Sequence, residues 1–271
     1  MRNLAGISRY YRYIGLVLLR NYSVSMRNLA GISRYYSVST RNLVGITDEL
    51  LGITEELLGI NANDMIYAYG HVFIYRSQID ELLMSEYLDN NHVDTFGIFL
   101  VEKNQMCPGL YLPFLFVSSF HWGYKAFNAD TKKFVSHINK ESVNAANLIL
   151  VPIIESSHWT LLVGNLKNKV WDFYDSLPKK THRAILPEVI SHLYEDTTTS
   201  FATDIRRWRI RKIKQVPTQK NSVDCGMYVC KYMEAVIQPE AVVWADVKDW
   251  EDNMAKFRAE FAYAILSTTI K

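Results

Sequence analysis

Three short runs in the middle of the chain constrain its fold most: NLILVPII (Asn147–Ile154), HWTLLVGNL (His158–Leu166) and KVWDFYDSL (Lys169–Leu177). All three are β-rich, and a Gly-Asn bearing turn separates the last two, as it would two consecutive antiparallel strands. They mark the centre of a sheet. Upstream, SQIDELLMSEYLDNNHVDTFGIFLVEK (Ser77–Lys103) reads as a capped helix with apolar residues at Ile79, Leu82, Leu83 and Leu88, a turn at Asn90-Asn91, and a second helix. Leu110 to Phe134 is an aromatic region of no definite class. Downstream, RAILPEVISHLYED reads as a surface helix, DIRRWRIRKIKQV as an alternating strand, and CGMYVCKYMEAVI and DNMAKFRAEFAYAIL as closing helices. Strands in the middle with helices at both ends predict an α+β domain.

With 271 residues, 49% of them hydrophobic, the chain can fill one sizeable core. Its net charge of +2 is unevenly spread: residues 1–60 hold seven Arg and four acids, against 23 basic and 24 acidic residues beyond. A near-neutral body carries no general nucleic-acid footprint. Cys107, Cys225 and Cys230 are an odd set in a chain too large to need disulfide staples, which predicts free thiols in a reducing compartment, nucleus or cytoplasm. The longest early apolar run, IGLVLL (Ile14–Leu19), is far short of the roughly 20 residues that span a bilayer, so no membrane partner is expected.

The first 60 residues repeat themselves. MRNLAGISRYY recurs at Met26, YSVS occurs at Tyr22 and Tyr36, and ITDELLG at Ile46 is followed by ITEELLG. Two different periods with so few copies do not make a solenoid, and the segment is read as duplicated sequence with little folded structure. Residues 1–47, with seven Arg, six Ser and no acid, also have the composition of an organelle-targeting segment. From about Asn63 to the end the pattern is that of one domain.

Phosphate-loop, dinucleotide and zinc motifs (GxxxxGK[ST], GxGxxG, HExxH, CxxC) are absent, and no cofactor or metal is expected. What remains is a thiol with a histidine and an acid. Cys225 precedes a helical run and so falls at a helix N-terminus, where unpaired N–H groups favour an anion; the thiolate is the nucleophilic form. Cys230, among Val and Tyr, reads as a buried structural cysteine. His158 opens a β run, and Asp175 lies seventeen residues on, at the end of the next strand, where antiparallel pairing brings the two together. Asp172 is nearer the turn and on the opposite pleat side. His121, also followed by Trp, lacks such a strand partner and reads as part of an aromatic cluster. Gln219, six residues before Cys225, can donate its amide to a developing oxyanion alongside the Cys225 N–H.

VPIIESSHWTLLVGNLKNKVWDFYDSL followed by VPTQKNSVDCGMYVCKYME closely resembles the ubiquitin-like-protein proteases, the SUMO-specific (sentrin-specific) cysteine peptidases. HW, YDS and Q-x-N-x-x-DCG occur in the family's order, and the resemblance extends over about residues 64–271. It implies a papain-like cysteine-protease fold, a mixed or antiparallel sheet flanked by helices, and cleavage after the C-terminal Gly-Gly of a modifier such as SUMO or NEDD8. By position, Cys225 is the implied nucleophile, His158 the base and then acid, Asp175 its orienting partner and Gln219 the oxyanion donor. Trp159 is the implied roof of a channel that admits only glycine, acting in a monomer. Tyr87-Leu88 stands where the family usually has Trp-Leu.

Two other readings stay open at this point. The repeats resemble those of copies captured by mobile elements, which suggests an idle modifier-binding remnant; an acyltransferase could use the same triad. RRWRIRK (Arg206–Lys212) reads as a strand with one solvated basic face, or else as a nuclear signal or an acid-binding patch.

Overall fold

The computed structural model describes residues 60–127 and 129–269, so the repeats of residues 1–59 and the reading of them as little folded lie outside the described residues. In chain order come a hairpin, β1 (Met65–Tyr69) and β2 (Val72–Tyr75), helices α1 (Arg76–Leu83) and α2 (Asn90–Met106), and strand β3 (Phe114–Phe116). Two short helices, α3 (Phe120–Gly123) and α4 (Lys140–Ala145), lead to β4 (Leu148–Glu155), β5 (His158–Asn165) and β6 (Val170–Tyr174). Helices α5 (Lys180–Ala184) and α6 (Leu186–Asp196), strand β7 (Arg209–Lys212), and helices α7 (Cys225–Val236) and α8 (Met254–Thr269) complete the domain.

The five-stranded sheet has the order β3-β4-β5-β6-β7. Its three central strands pair antiparallel and its two edge strands are parallel, which makes it mixed. β4 and β5 read as continuous apolar runs because both faces of the sheet are covered. Pleating then sorts their side chains into two cores. Leu148, Leu150, Leu161 and Val163 pack with residues of α7 and α8, while Ile149, Val151, Ile153 and Leu162 pack with Leu186, Val189, Ile190 and Leu193 of α6. Fully burying each such side chain contributes roughly 1.5–3 kcal/mol.

Several local expectations are corrected. Helix α1 ends at Leu83, and Asn90-Asn91 is no turn but the first turn of α2, capped by Asp89, whose carboxylate accepts from His92 N at 3.0 Å. Leu88 therefore lies in the connection, buried at 2% exposure. The Gly-Asn at the end of the second run is strand: Gly164 pairs with Trp171, and a Cβ there would lie 2.5 Å from Ile149 Cγ2, so close packing and not a turn demands glycine. The β5–β6 reversal falls after Asn165 and includes Lys169 at φ 54°. Only Arg209–Lys212 of DIRRWRIRKIKQV is strand, because Asp204 caps a 3-10 turn at Ile205–Arg207 before it.

Candidate active site

Cys225 is the first residue of α7 and is fully buried. The residue before it, Asp224, makes no side-chain cap because its carboxylate is engaged elsewhere. Oδ1 accepts from Arg258 Nε at 2.9 Å and Nη2 at 2.6 Å, and Oδ2 from Asn221 Nδ2 at 2.5 Å. The first N–H groups of α7 thus keep no side-chain cap and face the thiol end of the helix as anion donors. Gly226 allows the helix to approach: a Cβ there would meet Leu88 Cβ at 2.8 Å and Trp159 Cδ1 at 3.2 Å.

His158 enters from the sheet. Ser156 and Ser157 form the two-residue link between β4 and β5 with φ 49° and 60°, a left-handed pair that matches the strand twist and sets His158 as the first residue of β5 opposite Glu155. On β6, Tyr174 pairs with Leu161, so Asp175 follows the strand at the same end of the sheet. His158 Nε2 donates to Asp175 Oδ1 at 2.9 Å. Asp175 also accepts from Leu177 N at 3.0 Å and from His182 Nδ1 at 3.0 Å. Burial alone would raise the Asp175 pKa, but the hydrogen bonds from His158, His182 and Leu177 outweigh it and hold the carboxyl below its usual range. Burial would lower the His158 pKa; hydrogen bonds to Asp175 and Cys225 and their charges reverse the sign and raise it to about 9. Asp175 occupies Nε2, which leaves Nδ1 for Cys225.

Gln219 is 5% exposed. Ser176 Oγ donates to its Oε1 at 2.5 Å, which fixes the amide orientation, and its Nε2 donates to Asn221 O at 2.7 Å. An amide nitrogen has two hydrogens, so one is still free to donate. Trp159, 1% exposed, lies against Gly226 with its Nε1 donating to Leu88 O at 2.7 Å. Its indole can therefore shape the site but has no hydrogen bond left to give.

The remaining candidates are placed elsewhere. Asp172 accepts a two-pronged contact from Arg211 at 2.7 and 2.8 Å. Burial pushes the Cys230 thiol up, in keeping with a structural residue. His121 is stacked on His192 and bonded to Asp196 at 3.1 Å, so it belongs to a polar cluster as much as to an aromatic one. Burial and His192 lower its pKa to about 4.

Sequence reasoning missed His182, Ser176 and Arg258. Ser176 stood inside the YDS run without a role. Arg258 carried a usable signal, since it falls on the apolar stripe Met254, Phe261, Ala262, Ile265 of α8 where a charge must find a buried partner. His182 sits in a charged stretch and gave none.

A thiol at a helix N-terminus, an imidazole able to exchange a proton with it, and a buried carboxylate behind the imidazole can carry out acyl transfer through a thioester. Residues 70–269 match the Ulp1 protease family, C-terminal catalytic domain, and the chain belongs to that family. It is 29% identical over 201 residues to Sentrin-specific protease 2 of Rattus norvegicus, covering 71% of this chain and 32% of that protein. It is 30% identical over 120 residues to Ubiquitin-like-specific protease 1A of Arabidopsis thaliana, covering 44% of this chain and 23% of that protein. The chain thus spans about a third or less of these relatives. Among solved structures, the C-terminal Ulp1 protease domain in complex with Smt3, the yeast ortholog of SUMO, shares the fold at TM-score 0.58 and 21% identity, over 83% of this chain and 96% of that one.

Proposed function

We propose that the protein is a cysteine peptidase that hydrolyses the peptide or isopeptide bond after the C-terminal Gly-Gly of a ubiquitin-like modifier, SUMO or its relative NEDD8. The observation that carries this reading is the 2.9 Å pairing of His158 with Asp175 beside Cys225 at the start of α7. The Cys225 thiolate attacks the glycine carbonyl carbon. The resulting oxyanion accepts hydrogen bonds from the Cys225 N–H and from the free hydrogen of Gln219 Nε2. His158, charged at neutral pH, passes its Nδ1 proton to the leaving amine, and the C–N bond breaks to leave a thioester. A water, deprotonated by His158, then attacks the thioester carbonyl and releases the carboxylate and the thiolate. Because Cys225 is fully buried, the substrate must reach it as a thin tail, and two glycines without Cβ atoms suit that entry. Trp159 and Leu88 act as its walls.

The test is reaction with modifiers bearing a thiol-reactive C-terminal group, read as a gel shift. An adduct with a SUMO or NEDD8 probe that Cys225→Ala abolishes is the expected result. Folded wild-type protein that forms none would sink the reading.

A further inference from the structure

We infer that His182 is a positioning residue for the His158–Asp175 pair, an inference that rests on the peptidase reading of the same site. His182 Nδ1 lies 3.0 Å from Asp175 Oδ2, the carboxylate oxygen that His158 does not use. Its ring stacks on the His158 ring with centroids 4.2 Å apart and 22° between planes. Asp175 is held ionised and so can only accept, which makes both imidazoles donors to it. One carboxylate is thus gripped at both oxygens by two histidines lying face to face.

The local fold turns this one side chain inward. Helix α5 is only five residues long and buries none of them; Lys180, Thr181, Arg183 and Ala184 are exposed, while the His182 side chain is 11% exposed and turned inward. The charged or titratable groups that face it are Asp175 from the end of β6 and His158 from β5, with Cys225 of α7 beyond His158. Arg183 points elsewhere, donating to Ile210 O at 3.0 Å.

Two consequences follow for the chemistry. A donor on Oδ2 stops the carboxylate from rotating, so Oδ1 stays aimed at His158 Nε2 through both proton transfers. A ring laid over His158 covers one of its faces and restricts its rotation, which keeps Nδ1 directed at the thiol. Neither effect requires His182 to touch the modifier. Its loss should therefore act on turnover and on thiol reactivity, leaving substrate binding unchanged.

The experiment compares wild type, His182→Ala and His182→Asn, the last because an asparagine Nδ2 can occupy the position of the histidine Nδ1. Cleavage of a SUMO C-terminal aminocoumarin amide gives kcat and KM, and the rate of iodoacetamide labelling at the Cys225 peptide at pH 7, read by mass spectrometry, gives thiol reactivity without any modifier. Circular dichroism checks that each variant is folded. For His182→Ala, kcat should fall about tenfold with KM within twofold, as expected for losing a hydrogen bond to a charged group, and labelling should slow in parallel. His182→Asn should recover most of both. The inference is overturned by His182→Ala keeping kcat and labelling within twofold of wild type, or by His182→Asn, folded, being as impaired as His182→Ala. If wild type cleaves no modifier while labelling still slows in His182→Ala and recovers in His182→Asn, the peptidase reading falls and the positioning role stands.

Discussion

Replacing Arg258 by methionine tests the support beneath Cys225. Arg258 is 1% exposed and Asp224 6%, and the guanidinium reaches the same carboxylate oxygen from Nε and Nη2. Longer contacts run from it to Leu82 O at 3.5 Å and Val223 O at 3.4 Å, so one side chain ties α8 to α1 and to the loop that enters α7. Methionine keeps much of the apolar volume but leaves Asp224 a buried charge whose only other side-chain donor among the described residues is Asn221. Removing one member of such a pair costs about 3–5 kcal/mol, a large part of a stability on the order of 5–15 kcal/mol. At roughly 2–4 °C per kcal/mol for a domain of this size, the melting temperature should fall by about 6–20 °C. Urea denaturation of both proteins measures the difference directly. Adding Asp224→Asn should restore part of it, since the amide carries no charge to strand and the two sites are coupled. A loss under about 1 kcal/mol for Arg258→Met would refute the argument, because it would mean that Asp224 is already compensated without the arginine.

Other outcomes follow from the site. His158 has its pKa raised to about 9, so the protonated imidazole needed by the leaving amine is lost as pH rises through that value, and kcat/KM should decline above about pH 9. The same raised value means that the stability contributed by protonated His158 is full below its ordinary 6.5 and lost as pH rises through about 9. In Cys225→Ala the hydrogen bond and charge of the cysteine no longer raise it, so an NMR titration should find His158 below about 9; an unchanged value would contradict the coupling. Gln219→Ala should lower kcat by roughly 10²–10³ with labelling by a C-terminal electrophile less affected, and a loss under tenfold would remove Gln219 from the oxyanion site.

The parts of this protein that were legible in its sequence are those where one physical demand dominates. β4 and β5 are buried on both faces, and nothing but strand suits short runs as apolar as LILVPII and WTLLV between turns. The His158–Asp175 pair was readable because antiparallel pairing converts a sequence interval into a distance, as the Leu161–Tyr174 partnership bears out. The opening hairpin was passed over since a register shift between Met65 and Tyr67 breaks the alternation that announces a strand. Strand β7 is short because its neighbour β6 offers only five residues and Asp204 competes for the backbone just upstream. His182 was invisible for a different reason: its partner Asp175 is fixed by the sheet, but the five-residue helix that carries it has no period of its own to report which side chain turns inward. The left-handed pair Ser156-Ser157 beside the site was equally silent, since neither residue is the glycine or asparagine such a turn favours. That choice costs stability and places His158 at the strand's first position, which is where local rules are expected to yield when a side chain has to be aimed.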